Sequence, residues 1–328
     1  MTDAVEDMEL MRAVVVTGPG TVEVRNLPRP KPGPGQVRIR LEGCGVCASN
    51  LTPWSGPEWM TFPTEPGDLG HEGWGVIDLL GESVLGLTVG QRVATLSHRS
   101  YAEYDLAEAS AVVPLPPELD GVSFAGEPFG CAVNIFRRSG IKTGDTVAIL
   151  GIGFMGSVLT RLASDEGARV IAISRRPFSL DMARRMGAAE VLPLDDHYGI
   201  IAEVSALTAG RFCDVVIEAT GRQWPLDLAA ELTRERGRLV IAGYHQDGPR
   251  QVNMQLWNWR GLDVVNAHER DPKIYAAGVT EAVELIRKGR LDPSLLITHA
   301  YSLDRLGEAL DATRDRPDGF LKAVVVTK

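Results

Sequence analysis

Two cysteines, Cys44 and Cys47, lie three residues apart in the segment GCGVCASNLTPW. This spacing is compatible with a redox dithiol, half of a zinc knuckle, a disulfide, or one metal ligand beside an unrelated cysteine. The other two cysteines of the chain are Cys131 and Cys213. Four scattered cysteines and no signal-peptide pattern indicate a reducing compartment, which argues against the disulfide.

A glycine-rich motif, GIGFMG, follows the apolar run DTVAIL and precedes a run with helical periodicity. A strand, a tight glycine turn and a helix in this order form the phosphate-binding turn of dinucleotide-binding domains. Gly151 allows the tight turn, Gly153 lets backbone N–H groups approach the pyrophosphate, and Gly156 lets the helix pack close to the strand. We predict a dinucleotide site here that also includes Phe154 and Met155.

These candidate residues lie in two parts of the chain that have different patterns. From Met11 onward, short runs of β-branched residues are broken by Gly and Pro, which predicts strands joined by turns. From about Gly140, apolar strands alternate with amphipathic helices, as in DTVAILG, FMGSVLTRLASDEG, RVIAIS and FCDVVIEATG. This alternation predicts an α/β unit with a parallel sheet and helices on both of its faces.

The C-terminal segment GFLKAVVVTK resembles the early run MRAVVV. We therefore expect the C-terminus to fold back onto the N-terminal part, so that the α/β unit is inserted between two halves of one domain. The predicted domains are a β-rich domain of residues 1–137 and 274–328, and a dinucleotide-binding domain of residues 138–273.

The composition favours a small-molecule partner. The 328 residues carry a net charge of −9 without a basic run, which argues against nucleic acid or an anionic membrane surface as the main partner. The start MTDAVEDMEL is acidic where a signal peptide would be basic, and no window approaches the roughly 18 apolar residues of a membrane span. We expect a cytoplasmic protein that does not bind membranes.

Four segments, GCGVCASN, GDLGHEGWG, GEPFGCAV and GIGFMG, occur in the order and at the separations seen in zinc-dependent medium-chain alcohol and polyol dehydrogenases. The chain resembles this family over nearly its whole length. The resemblance implies an α/β protein in which a β-rich, GroES-like catalytic domain is split in sequence by a doubly wound Rossmann domain. It also implies that Cys47, His71 and Glu127 bind a catalytic zinc ion and leave a fourth position for water or substrate.

The resemblance extends to residues next to these ligands. Ser49 matches the hydroxyl that passes the alcohol proton onward, although such a serine can also bond only its own turn. Glu72 either orients or briefly binds the zinc, or pairs with a buried cation. Asn50 stands where the family usually has Asp, so we expect its side-chain carbonyl to accept a hydrogen bond from His71, without the charge of the usual carboxylate.

Cys44 matches no ligand position of the family, so we predict that it packs in the interior, as do Cys131 and Cys213. A redox dithiol is disfavoured because the segment is β-rich rather than the start of a helix. No cysteine lies between Cys47 and Cys131, where many family members carry a structural-zinc lobe. We expect one catalytic zinc ion per chain and no structural zinc.

The residues that end the second Rossmann strand predict which nicotinamide cofactor is used. An NAD site usually has Asp or Glu at this point to bond the ribose 2′-hydroxyl. Here the run RVIAIS ends in Ser174, and Arg175 and Arg176 follow. A hydroxyl and two guanidinium groups suit a 2′-phosphate, so we predict that NADP is preferred over NAD.

The predicted reaction is hydride transfer between a secondary alcohol, or its ketone, and the cofactor. By the resemblance, the pair Glu127 and Pro128 indicates a polyol, a sugar, a cyclitol or a similar polar substrate, and a homodimer or homotetramer is expected. One alternative is a zinc-free enone or quinone reductase of the same superfamily, in which the Cys and His ligands are missing. The other is a non-catalytic nucleotide-binding protein, which Asn50 keeps open.

Overall fold

The computed structural model describes residues 9–327 and contains fifteen strands and ten α-helices within that range. The strands are β1 (Leu10–Gly18), β2 (Thr21–Pro28), β3 (Gln36–Val46), β4 (Gly73–Leu80), β5 (Arg92–Thr95), β6 (Tyr104–Glu108), β7 (Val112–Pro114), β8 (Thr146–Leu150), β9 (Arg169–Ser174), β10 (Glu190–Pro193), β11 (Cys213–Glu218), β12 (Thr233–Ile241), β13 (Asp263–Asn266), β14 (His299–Ser302) and β15 (Ala323–Val326).

The helices are α1 (Leu51–Ser55), α2 (Gly126–Ser139), α3 (Phe154–Asp165), α4 (Pro177–Arg185), α5 (His197–Leu207), α6 (Gln223–Leu232), α7 (Met254–Arg260), α8 (Pro272–Arg287), α9 (Pro293–Leu296) and α10 (Leu306–Asp315). Among residues 9–327 there is no helix that combines the length and the apolar character needed to cross a membrane.

The chain forms two compact units. Among the described residues, the first contains 9–128, 282–287 and 292–327, and the second contains 129–281 and 288–291. The division falls inside α2 and inside α8, whereas the boundaries predicted from the sequence lie at 137/138 and 273/274.

The first unit is built around a mixed sheet in the order β14-β15-β3-β4-β5-β7, and β6 pairs with the outer part of β3. A separate antiparallel pair is formed by β1 and β2. The C-terminal strand β15 runs antiparallel to β3, with Ala323 opposite Val46, so the C-terminal segment lies in the same sheet as the early strands. One core of this unit joins these strands to α10 through Val14, Val16, Cys44, Trp54, Tyr101, Leu306, Leu310 and Val325.

The second unit contains an all-parallel sheet in the order β10-β9-β8-β11-β12-β13. All five residues of β8 are buried, and the last four alternate between two hydrophobic clusters. Ala148 and Leu150 pack in a cluster that includes residues of α5 and α6, whereas Val147 and Ile149 pack in one that includes residues of α2, α3 and α4. Both faces of the sheet are therefore covered by helices, as the apolar strands predicted.

Candidate metal centre and cofactor site

The ends of three neighbouring strands bring residues that are distant in sequence together at one end of the first unit's sheet. β3 ends at Val46, directly before Cys47, and the neighbouring antiparallel strand β4 begins at Gly73, directly after His71 and Glu72. The start of β15 lies opposite the end of β3, so Lys322, which directly precedes β15, lies at the same end of the sheet. Strand register thus positions side chains that are up to 275 residues apart in the 328-residue sequence.

The side chains of Cys47, His71 and Glu72 form a cluster in which the potential ligand atoms all lie within 4.8 Å of one another. Glu72 is fully buried, and the other two are half-buried. Thiolate sulfur, imidazole nitrogen and carboxylate oxygen are the three kinds of atom that bind zinc in proteins. The donor set and its spacing therefore fit a zinc ion.

The ring of His71 is oriented by the backbone. Its Nδ1 lies 2.9 Å from the carbonyl oxygen of Leu69, so Nδ1–H donates to that carbonyl and Nε2 is the ring nitrogen available to a metal. Leu69 adopts a left-handed backbone conformation, with φ of 71°, which is unusual for a residue with a branched side chain. The acceptor of the histidine is thus supplied by an unusual turn.

The charge balance at His71 favours a cation. Burial by itself lowers the pKa of His71, but a hydrogen bond to Cys47 and the negative charge of that side chain act in the opposite direction. The charges of Glu127 and Glu72 add to this effect, and the pKa of His71 is raised from 6.5 to about 10. Acidic groups around a histidine that so strongly favour a positive charge are also suited to hold a metal cation.

Glu72 forms a buried ion pair with Lys322, a partner that the sequence analysis anticipated as a buried cation but did not identify. The ammonium Nζ of Lys322 lies 2.6 Å from one carboxylate oxygen and 2.5 Å from the other, and both residues are buried. Burial by itself lowers the pKa of Lys322, but the charges of Glu72, Cys47 and Glu127 and the hydrogen bond to Glu72 together outweigh it, and the net direction is upward. Gly45 makes room for the pair, because a Cβ atom there would lie 1.8 Å from Oε2 of Glu72.

Asn50 does not accept a hydrogen bond from His71 as the sequence suggested. Its side-chain Nδ2 donates to the carbonyl of Leu69 at 3.1 Å and to the hydroxyl of Tyr101 at 2.7 Å. The Tyr101 hydroxyl in turn donates to the Gly45 carbonyl at 3.3 Å. The Leu69 carbonyl only accepts, so this orientation of the amide is the one that chemistry requires. Asn50 and His71 therefore donate to the same backbone carbonyl, that of Leu69.

Cys44 and Cys47 have different environments. Cys44 lies inside β3 and is fully buried, and this burial raises the pKa of its thiol well above the ordinary value. Cys47 follows the strand, and its Sγ accepts a hydrogen bond from the backbone N–H of Ser49 at 3.5 Å, at the start of a short 3₁₀ helix. Of the two cysteines, only Cys47 belongs to the ligand cluster of the described residues.

The remaining predicted residues of this centre are Ser49 and Glu127. Ser49, the predicted proton-transfer residue, is half-buried in the 3₁₀ turn that Cys47 caps. Glu127 is the second residue of α2 and is half-buried, and its charge contributes to the raised pKa values of His71 and Lys322. The role of Glu127 as third ligand and that of Ser49 stay predictions.

The glycine motif follows β8 directly and runs into the first turn of α3, the strand–turn–helix order that the sequence predicted. Gly151 has φ of 96°, and a Cβ atom on Gly156 would lie 2.1 Å from the Gly151 carbonyl oxygen. A Cβ atom on Gly153 would meet nothing within 4 Å, so the packing of the protein itself does not require glycine there. An open position at a helix N-terminus is the place where a pyrophosphate approaches the backbone.

The other residues predicted for the cofactor site lie at the start of α3 and at the end of β9. Phe154 and Met155 are the first two residues of α3, and the ring of Phe154 packs edge-on against Phe129 at 4.9 Å between centroids. Ser174 is the last residue of β9 and is buried. The two residues after it, Arg175 and Arg176, are exposed and half-buried, and Arg176 caps α4.

The second unit has the strand order and the glycine turn of a dinucleotide-binding domain. The first unit has a ligand cluster of the type that binds zinc. This combination is typical of a metal-assisted, nucleotide-dependent oxidoreductase. Residues 33–117 match the alcohol dehydrogenase GroES-like domain family, and residues 155–284 match the zinc-binding dehydrogenase family. These matches together span more than half of the chain. The chain belongs to the zinc-dependent medium-chain dehydrogenases, and it is an oxidoreductase that uses a nicotinamide cofactor.

Relatives of known name cover nearly the whole chain. Sorbitol dehydrogenase from Halalkalibacterium halodurans is 28% identical over 93% of this chain and 96% of its own length. The (R,R)-butanediol dehydrogenase of Neisseria gonorrhoeae is 25% identical over 90% of this chain and 93% of its own length. A protein from Sinorhizobium meliloti 1021, solved with NADP bound, is 26% identical with a TM-score of 0.83, covering 97% of this chain and 99% of that chain.

Proposed function

We propose that the chain is a zinc-dependent dehydrogenase that oxidises a secondary hydroxyl group, or reduces the corresponding ketone, with a nicotinamide cofactor. The observation that carries this proposal is the cluster of Cys47, His71 and Glu72, whose ligand atoms lie within 4.8 Å of one another. A cluster of thiolate, imidazole and carboxylate donors has the composition of a catalytic zinc site. One zinc ion per chain is proposed, without a structural zinc.

The proposed zinc ligands are Cys47, His71 and Glu127. Glu72 belongs to the same cluster, but its carboxylate is engaged in the ion pair with Lys322. The charge of Glu127 reaches His71, which supports a position close to the metal. In this arrangement Glu72 balances the charge of the centre and orients the cluster, while Glu127 completes the ligand set.

The chemistry divides between the metal, the cofactor and the chain. When bound, zinc supplies a Lewis acid that makes the loss of a proton from an alcohol feasible near neutral pH. The nicotinamide, when bound, would supply the acceptor for the hydride of the carbinol carbon, which balances the oxidation of an alcohol to a ketone. The hydroxyl of Ser49 receives the alcohol proton and passes it toward solvent. His71 is held in one orientation throughout by the Leu69 carbonyl.

The proposed substrate is a polyol, a sugar, a cyclitol or a similar polar secondary alcohol. Relatives across nearly the whole length of the chain are named as dehydrogenases of sorbitol and of butanediol. Both names denote compounds with secondary hydroxyl groups, which is why this class is preferred over simple primary alcohols.

The function is tested on the purified protein by metal analysis and by a substrate panel. Near-stoichiometric zinc is expected. Reduction of the cofactor, monitored by its absorbance, is expected in the presence of at least one polyol, sugar or cyclitol. Absence of zinc with reduction of enones or quinones would instead identify a zinc-free reductase. Zinc and cofactor binding without turnover on any substrate of the panel would identify a non-catalytic nucleotide-binding protein.

We further propose that NADP is preferred over NAD. The support is the end of β9, where a buried Ser174 and then Arg175 and Arg176 stand in place of the carboxylate of an NAD site. A favourable contact between Arg and a phosphate is worth about 1.5 to 3 kcal/mol, on the order of 10-fold to 100-fold in preference. The variant Ser174→Asp with Arg175→Ala is expected to shift the ratio of kcat/KM toward NAD.

The matched control is Arg185→Ala, which removes an exposed positive charge from the other end of α4. It is expected to leave the cofactor preference unchanged. A higher kcat/KM of the unaltered protein with NAD than with NADP, at equal ionic strength, would refute the assignment of Ser174 and the two arginines.

Pairing of two copies through the edge of the second unit's sheet is also proposed. β13 is the last strand at that edge, and Val264 on it is 37% exposed. The preceding helix α7 adds Trp259, which is 84% exposed, and Met254 at 61%. Exposed apolar side chains beside an open strand edge favour association of copies, and light scattering on the purified protein measures the resulting dimer or tetramer.

A further inference from the structure

A buried carboxylate, Glu218, lies at the carboxyl end of β11 in the second unit. The order of strands along the sheet reverses between β8 and β11, which are neighbours. In parallel α/β sheets, ligands bind outside the carboxyl ends of the strands at such a reversal. Glu218 is completely buried there, although nothing in the proposed zinc chemistry requires it.

The carboxylate of Glu218 joins the loops that follow two different strands. Its Oε1 accepts hydrogen bonds from the backbone N–H and the hydroxyl of Thr220 and from the backbone N–H of Gly221, in the loop after β11. Its Oε2 accepts from Nε2 of His245 at 2.9 Å, in the loop after β12. A buried charge that is satisfied in this way fixes the conformation of every group that donates to it.

His245 closes a ring of hydrogen bonds around these loops. Its Nδ1 lies 2.8 Å from Nε of Arg250, which can only donate, so Nδ1 carries a lone pair and the proton of the ring is on Nε2. The Nη2 of Arg250 donates to the backbone carbonyl of Gly221 at 2.7 Å. The two loops are therefore held to each other through both sides of one imidazole ring.

Glycines in these loops bring backbone segments into direct contact. A Cβ atom on Gly243 would lie 2.2 Å from the Gly221 nitrogen and 2.5 Å from Oε2 of Glu218. On the other side, a Cβ atom on Gly151 would lie 2.6 Å from the Thr220 side chain. The glycine turn and the two loops fixed by Glu218 are therefore in direct contact at the reversal point.

The two halves of a dinucleotide-binding sheet each hold one mononucleotide. The glycine turn and the end of β9 belong to the half that binds the adenosine phosphate, so β11 and β12 belong to the half that receives the nicotinamide. We propose that Glu218 is a positioning residue for the nicotinamide half of the cofactor and that it acts by holding the loops after β11 and β12 together through His245. This role rests on the use of a nicotinamide cofactor and is independent of zinc.

The test is the variant Glu218→Gln, in which an amide replaces one carboxylate oxygen and cannot serve both loops as an acceptor. Binding is measured by calorimetry with two probes, NADP and ADP, because ADP lacks the nicotinamide half. The dissociation constant of NADP is expected to rise about tenfold, the size of one lost charge-assisted hydrogen bond. The dissociation constant of ADP and the zinc content are expected to stay unchanged.

The matched control is Asp227→Asn, which removes an exposed carboxylate from α6 in the same unit and is expected to leave both dissociation constants unchanged. Equal weakening of ADP and NADP by Glu218→Gln would mean a general structural defect and would overturn the proposal. Unchanged NADP binding would overturn it as well. If the unaltered protein bound neither probe, the use of a nicotinamide cofactor itself would be refuted, which is a distinguishable result.

A second pair of variants keeps the proposal testable if Glu218→Gln does not fold. His245→Leu removes the imidazole that joins Glu218 to Arg250, but it leaves the carboxylate with Thr220 and Gly221. The amide of His245→Gln can still donate to Glu218 and accept from Arg250. His245→Leu is expected to weaken NADP binding several-fold, and His245→Gln to recover most of it. Equal NADP affinity in all three proteins would contradict the role of the link.

Discussion

Two fully buried carboxylates, Glu72 and Glu218, are stabilised in opposite ways. Glu218 accepts hydrogen bonds from its own loop and from His245, so its partners are mostly neighbours in sequence. Glu72 is paired with the ammonium of Lys322, which lies 250 residues away. The first arrangement shapes a backbone surface, whereas the second balances charge beside a set of metal ligands.

The two carboxylates differ in how the charge around them is balanced. Around Glu218, neutral donors and one imidazole satisfy the charge locally, and glycines allow the loops to touch. Around Glu72, several acidic groups act on His71 and raise its pKa to about 10. A centre with excess negative charge suits a divalent cation, and a centre with satisfied charge suits a rigid binding surface.

The largest effect on stability is expected from Lys322→Met, which leaves Glu72 buried without its cation. Removing one partner of a buried ion pair costs about 3 to 5 kcal/mol. The free energy of unfolding, measured by denaturant titration of the metal-free protein, is expected to fall by about this amount. His245→Leu is expected to cost only about 1 to 3 kcal/mol, because Glu218 keeps its backbone donors.

The double variant Lys322→Met with Glu72→Gln serves as the control for this prediction, since it removes both charges. It is expected to be more stable than Lys322→Met alone, because no unpaired charge remains in the interior. If Lys322→Met were as stable as the unaltered protein, the ion pair would have no role in holding the centre.

A smaller effect is expected from Asn50→Ala, which releases the Leu69 carbonyl and the Tyr101 hydroxyl. Loss of a group that orients a metal ligand typically costs about 10-fold to 100-fold in metal affinity. Competition with a chelator is therefore expected to show weaker zinc binding, with little change in the binding of NADP. Tyr101→Phe keeps the hydrogen bond from Asn50 to the Leu69 carbonyl, so it is expected to weaken zinc binding less. An equal loss of zinc affinity in both variants would show that Tyr101, and not the Leu69 carbonyl, is the essential partner of Asn50.

Local sequence patterns predicted the second unit well. Gly151 and Gly153 lie between β8 and α3, and Gly156 lies in the first turn of α3, because a dinucleotide turn is encoded within a few consecutive residues. The alternation of apolar strands and helices likewise predicted the parallel sheet and its two covered faces. The pairing of Glu218 with His245 depends on contact between the loops after β11 and β12, so the sequence of neither loop alone predicts it.

The first unit was harder to predict because its centre depends on strand register. A buried cation was considered as a partner for Glu72, but Lys322 could be found only once β15 was placed beside β3. The only signal was one lysine at the start of an apolar strand. The expectation for Asn50 was wrong for a related reason, since the acceptor for His71 is a backbone carbonyl, which no side-chain pattern reveals.

The central claim is that Cys47, and not Cys44, belongs to a catalytic zinc centre together with His71. The most direct measurement is the zinc content per chain, determined by elemental analysis, of Cys47→Ala and of its matched control Cys44→Ala. Cys47→Ala is expected to lose the zinc and nearly all turnover, whereas Cys44→Ala keeps both, because Cys44 is buried inside β3 and lies outside the ligand cluster. A folded Cys44→Ala without zinc, or a Cys47→Ala that retains full zinc and activity, would contradict the account.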